Sequence, residues 1–164
     1  GVRLTKTAVP MIPTNMQLEP LSIRTPAVQQ FLWEHLIPAD FRHDYTKLDA
    51  IKEVERQVYD GNTQLWGNLR EGIVFRCEVR NPKVIEPHIM GDGKKIRSAL
   101  RVGVQKAWAL GYERVAIWTQ HDSIARIVEK CGFSRAAAMP RMHMDGEGTL
   151  LDLYLLTMER PDAL

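Results

Sequence analysis

Val84-Ile85-Glu86-Pro87-His88-Ile89-Met90-Gly91-Asp92-Gly93-Lys94-Lys95-Ile96-Arg97 is the stretch on which the reading of this 164-residue chain turns. Its first half is a short strand of apolar and β-branched residues, interrupted by a proline. Its second half opens a helix. Ile96, Leu100, Gly103, Ala107 and Leu110 recur on one face, with Ala99 and Val104 beside them, and Gly111 supplies the stop. Between the halves stand Gly91, Asp92 and Gly93. Glycines at a strand-to-helix junction let a ligand approach the backbone, and free N–H groups at a helix start attract anions. Lys94, Lys95, Arg97 and Arg101 crowd the first turns, where the helix macrodipole disfavours each cation by roughly 0.3–1 kcal/mol. Two readings stay open: a polyanion sits there, or the basic face is simply solvated.

Upstream, the first twenty residues carry Pro10, Pro13 and Pro20 among scattered apolar residues, so residues 1–20 read as an irregular arm and 21–164 as one domain. Leu21–Arg24 reads as a first strand. Thr25-Pro26 has the form of a helix cap, and Val28, Phe31, Leu32 and His35 or Leu36 follow at helical spacing to about Leu36, an end that Pro38 supports. Thr46 and Asp49 form a capping box ahead of a second helix, whose stripe is Leu48, Ile51, Val54 and Val58. From Thr63 the period shortens. Gln64–Leu69 and Ile73–Val79 read as strands joined by a tight turn at Arg70–Gly72.

Downstream of Gly111, Arg114–Thr119 is β-rich, and Asp122 is placed to cap a helix with the face Ile124, Ile127, Val128 and Cys131. Two strands near Ala136–Met144 and Leu150–Met158 flank the turn Asp145–Gly148. The predicted order is β-α-α-β-β-β-α-β-α-β-β, an α/β (α+β) fold.

Composition narrows the function classes. A single domain of this length buries roughly 70% of its unfolded surface and needs neither disulfides nor metals. No apolar run reaches the ~20 residues of a bilayer span. No signal-peptide pattern opens the chain, which sets a cytoplasmic expectation with Cys77 and Cys131 as reduced thiols. The histidines include no pair at metal-binding spacing, so no metal site is expected. A net charge of +2 without aromatic–basic interleaving argues against nucleic acid as a partner.

Two motifs resemble the GNAT (acyl-CoA N-acyltransferase) superfamily, whose element order is the one above. His88-Ile89-Met90-Gly91-Asp92-Gly93 is similar to that family's Gln/Arg-x-x-Gly-x-Gly/Ala signature. Asp122, Ala125 and the ending Val128-Glu129-Lys130-Cys131-Gly132-Phe133 resemble its Asn-x-x-Ala … Tyr-Glu-Lys-x-Gly-Phe segment. Within the superfamily the likeness is nearest to small GNAT-like proteins of tailed phages. The resemblance implies a mixed, mostly antiparallel central sheet flanked by four helices, with acetyl-CoA as cofactor. It implies that the fourth and fifth strands splay, which suits Pro87, a residue that cannot complete a central ladder; a bulge or sheet edge suits it equally. Backbone at Glu86, Pro87, His88 and Ile89 would then face the pantetheine arm. N–H groups of Gly91, Asp92, Gly93, Lys94 and Lys95 would hold the pyrophosphate, with Asp122 and Ala125 contributing from the next helix.

The resemblance also places Glu86 where some members keep a general base. His88, at the Gln/Arg position, is a second candidate, and strand alternation sets both on one face. The plain readings are a solvent-side glutamate and a hydrogen-bonded structural histidine. Asp122 in place of Asn reads first as a helix cap. Val128 replaces the tyrosine that protonates the departing thiolate, and valine has no proton to give. Two functions follow: transfer of an acetyl group to a primary amine, a protein lysine or N-terminus among them, or a GNAT scaffold without chemistry that binds a partner.

Overall fold

The structure, a computed structural model, describes residues 16–35, 46–145 and 147–162. Along the chain run β1 (Glu19–Pro20), α1 (Pro26–His35), α2 (Lys47–Tyr59), β2 (Thr63–Asn68), β3 (Ile73–Asn81) and β4 (Val84–Gly91). A 3₁₀ turn (Gly93–Lys95) leads into α3 (Ile96–Ala109), followed by β5 (Arg114–Thr119), α4 (Asp122–Lys130), β6 (Ser134–Met144) and β7 (Leu150–Glu159). Among the described residues the strands form one seven-stranded sheet in the order β1-β2-β3-β4-β5-β7-β6. Every pairing is antiparallel except that of β4 with β5. This is the mixed, mostly antiparallel sheet flanked by four helices that the family resemblance implies.

Strand alternation divides the sheet into two faces. On one, Leu65, Val74 and Met90 pack with Ile23, Val28, Leu32, Ile51 and Val54 under α1 and α2. On the other, Phe75, Cys77, Ile85, Val115, Ile117 and Leu156 pack with Leu100 and Val104 of α3 and Val128 of α4. The helix caps follow local chemistry. Thr46 caps α2 by accepting the Asp49 N–H at 3.1 Å, as the capping box predicts.

Gly103 sits where α3 meets the sheet. A Cβ built there would lie 2.6 Å from Cε2 of Phe75, so the helix approaches the sheet as closely as that ring allows. Gly103→Ala should therefore cost about 1–2 kcal/mol of stability although alanine is the better helix former by about 1 kcal/mol. A urea midpoint at or above that of the wild type would show that the ring moves aside freely.

Several local expectations need correcting. The first strand is Glu19–Pro20, paired with Gly67 and Trp66, and residues 21–24 are a connection. The end of the expected arm belongs to the fold, because Met16 and Leu18 are buried in the core; residues 1–15 lie outside the described part, as do Leu36 and Pro38. Leu48 and Leu110 are exposed rather than on the buried stripes, each standing in the terminal turn of its helix or just past it. Pro87 does not interrupt β4, which runs through it paired to Cys77. His121, not Asp122, is the cap residue of α4.

Candidate active site

β4 and β5 pair only at Val84↔Arg114 and Ile85↔Val115. Beyond that point β4 follows β3 as far as Gly91, and β5 follows β7 as far as Thr119. The two strands therefore diverge, leaving the β5-facing edge of β4 unpaired from Glu86 onward. Pro87 lies two positions past the last pair, where its missing N–H costs that ladder nothing. A cleft of about 220 Å³ fills the gap. Its strand walls are Pro87, His88 and Ile89 against Ile117, Trp118 and Thr119, and Ile96, Ile124 and Val128 close it on the helix side.

His88 and Glu86 lie on the face of the sheet opposite α3, where the register sets Arg76 across from His88 and Glu78 across from Glu86. This four-residue charged block is closed by Arg80. Glu86 is neither on the solvent side nor free. Only 5% of it is exposed, and both its oxygens accept from Arg80, at 2.6 Å and 3.0 Å for Oε1 and 2.9 Å for Oε2. With its acceptor sites so occupied, Glu86 has little left for an incoming ammonium.

His88 is placed differently. Its Nε2 is shielded from solvent, makes no hydrogen bond, and lies 3.5 Å from Oε1 of Glu78. Burial pushes the imidazole below its ordinary value of 6.5; Arg76 adds to the shift, while Glu78 and Glu86 oppose it. The fold thus favours the neutral ring. The unfolded chain takes up this proton near pH 6.5, before the folded chain does, so the contribution to stability is complete above that pH and is lost as pH falls below it. Urea midpoints of the wild type should fall between about pH 7 and about pH 5 by more than those of His88→Gln. Parallel falls would contradict a shielded ring.

The turn after β4 departs from the expected phosphate cradle. The Asp92 N–H donates to the Gly72 carbonyl at 3.0 Å, and the Lys95 N–H donates to the Asp92 carbonyl at 3.0 Å. The Lys94 N–H donates to the Asp92 carboxylate at 3.0 Å. Three of the five N–H groups assigned to pyrophosphate are therefore already engaged, two within the turn and one on Gly72 between β2 and β3, and the Lys95 ammonium is paired with Glu71. Gly91 is explained by packing: a Cβ there would meet the Gly72 carbonyl oxygen at 1.8 Å, at a φ of +120°. Gly93 and Lys94 remain exposed at the mouth of the turn.

Two further assignments lose their geometric basis. Asp122 is bonded to Arg135 at 2.9 Å and Arg126 at 2.8 Å, contacts that hold its carboxyl below the usual range, Arg135 foremost. Ala125 is buried in the core. Neither lines the cleft. What sequence reasoning missed is the run Trp118-Thr119-Gln120-His121, which forms one whole wall. The available signal was its position, at the carboxyl end of a strand leading into a helix, where open α/β sheets bind ligands.

The chain as a whole, with its fourth and fifth strands pairing in parallel and then parting, superposes on several solved structures. A chimera of the spermidine N-acetyltransferase SpeG from Vibrio cholerae and hSSAT superposes with a TM-score of 0.73 at 11% identity, over 89% of this chain and 96% of that one. A probable GNAT-family acetyltransferase from Chromobacterium violaceum gives 0.64 at 17% identity, over 87% and 86%. The fold is that of the GNAT N-acetyltransferases. The putative acetyltransferase yncA from Salmonella typhimurium, solved with acetyl-CoA, gives 0.65 at 14% identity over 92% of this chain and all of that one. No sequence-family model and no curated protein matches the chain, so the GNAT likeness here is one of architecture. Among the described residues no helix is long and apolar enough to cross a membrane.

Proposed function

We propose that the chain is an N-acetyltransferase that moves an acetyl group from acetyl-CoA to a primary amine, a protein lysine or N-terminus included, with His88 as general base. The observation that carries this reading is the parting of β4 from β5 beside a shielded histidine. Acetyl-CoA would supply the acetyl group as a reactive thioester. The residues suit it along the cleft, where the unpaired edge of β4 offers backbone groups and Ile89, Ile96, Ile117 and Ile124 offer apolar walls. At the turn they suit it only in part, through Gly93 and the exposed Lys94.

A neutral imidazole at the cleft wall can take a proton from an ammonium and leave the amine free to attack. The open edge of β4 presents N–H groups to the oxygen on which negative charge then develops. Val128 has no proton for the leaving thiolate, but Thr119 lines the same cleft. Its Oγ1 accepts the His121 N–H at 3.1 Å and keeps its own hydrogen available. The proposed setting is the cytoplasm.

Release of the free CoA thiol, followed over a panel of small amines and lysine peptides, tests this directly. The reading predicts amine-dependent release that His88→Ala lowers by about 10²–10⁴; release without any amine dependence would refute it. The Asp92 carboxylate seated on the Lys94 N–H, together with the Val128 substitution, favours a second reading in which the scaffold binds a partner without turnover. That reading predicts no release with any amine.

A further inference from the structure

The charged block holds one residue that the base alone does not explain. Glu78 stands on β3 directly across from Glu86, and its Oε1 is shared between Arg76 Nη1 at 3.2 Å and His88 Nε2 at 3.5 Å. Its side chain is 42% exposed. The solvent it reaches is not that of the cleft. Glu78 lines a separate polar pocket of about 280 Å³, together with Thr63, Gln57, Asn62, Arg56 and Arg80. His88 lines the cleft and not that pocket. The pair thus spans two openings, with the shielded Nε2 between them.

We propose that Glu78 is the proton outlet of the site: it accepts the Nε2 proton of His88 while Nδ1 takes one from the substrate ammonium, and releases it to water in the second pocket. This rests on the acetyltransferase reading. The tautomer we assign carries hydrogen on Nε2, facing Glu78, because a carboxylate is an acceptor only. Nδ1 then holds the lone pair on the other edge of the ring. One proton enters at Nδ1 and one leaves at Nε2, so the imidazole ends the step neutral with hydrogen on Nδ1. Protonated Glu78 then gives its proton to water. Once the product has left, water in the cleft takes the Nδ1 hydrogen while Nε2 regains one from water through Glu78, which restores the starting tautomer. In these transfers no bond other than N–H and O–H is made or broken.

The surrounding charges fit this direction of flow. The charged groups facing His88 are Arg76 and Glu78 from β3 and Glu86 from its own strand. Glu86 is taken up by Arg80, so the nearer carboxylate with access to bulk water is Glu78. Arg76 touches Glu78 and steadies it without blocking the exposed remainder of the carboxylate.

Glu78→Gln and Glu78→Ala test the relay against a merely structural role. With a substrate amine, Glu78→Gln should lose about tenfold or more in kcat, while KM for the amine stays within about twofold. Formate or acetate added to Glu78→Ala should restore part of kcat and leave the wild type unaffected. The His88 ring, followed by NMR, should titrate at lower pH in Glu78→Gln, because a negative neighbour has been removed. A Glu78→Gln variant with wild-type kcat, no carboxylate rescue and an unmoved His88 titration would overturn the relay and leave the acetyltransferase reading standing. A wild type that acetylates no amine would overturn that reading and the relay with it.

Discussion

Gly91→Ala should destabilise the protein by about 3 kcal/mol or more, the largest effect expected of a methyl addition at any of the described glycines. The added Cβ would lie 1.8 Å from the Gly72 carbonyl oxygen and 3.0 Å from Phe31, in a backbone conformation with φ at +120°. Neither the carbonyl nor the ladder can give way cheaply. The same Gly72 oxygen accepts the Asp92 N–H, and Ile73 pairs with Gly91. Gly93→Ala is the control, since nothing lies within 4 Å of a Cβ there, and it should stay within about 0.5 kcal/mol of wild type. Urea denaturation of both variants decides the matter. Equal midpoints would mean that the turn relaxes, and would return Gly91 to consideration as a ligand cradle.

His88→Ala should lower kcat/KM by about 10²–10⁴, the range of a lost general base and equal to about 3–5 kcal/mol of barrier. The fold should tolerate the change, because the ring contributes no hydrogen bond through Nε2. Loss of activity far out of proportion to a small fall in melting temperature is the expected pattern. The pH profile carries a second check. The rate should rise as the imidazole loses its proton, below the ordinary 6.5, and level off above it. A rate that keeps climbing well past neutrality would point to deprotonation of the free amine in solution instead of to His88.

The order of elements was legible because each is marked by its own period or cap: Thr46 with Asp49, Gly111 after α3, and the alternation through Ile73–Val79. The divergence at Ile85 is written only faintly, in Pro87, which a bulge would explain as well. The charged block was half visible. Alternation set Glu86 and His88 together, but Arg80 reaches Glu86 through a hairpin register that local patterns do not specify, and so the buried ion pair reversed the expectation of a solvent-side glutamate. Glu78 was invisible for the same reason, since its relation to His88 depends on which strand residues oppose each other. The phosphate cradle misled in the opposite direction. Gly-x-Gly before a helix has the look of an anion site, yet the spacing cannot reveal that Asp92 fills the turn's own donors or that Gly72 crowds Gly91. The cationic crowding at Lys94, Lys95, Arg97 and Arg101 is reduced by one through the Lys95–Glu71 pair.

The measurement closest to the central claim is a titration of ¹⁵N-labelled protein with acetyl-CoA, read at backbone amides. The account predicts saturable shifts at Glu86, His88 and Ile89 on β4 and from Ile117 to His121 across the cleft, with smaller ones at Gly93 and Lys94. Absence of shifts at millimolar acetyl-CoA, or shifts confined to the Arg56, Asn62 and Arg80 pocket, would contradict it.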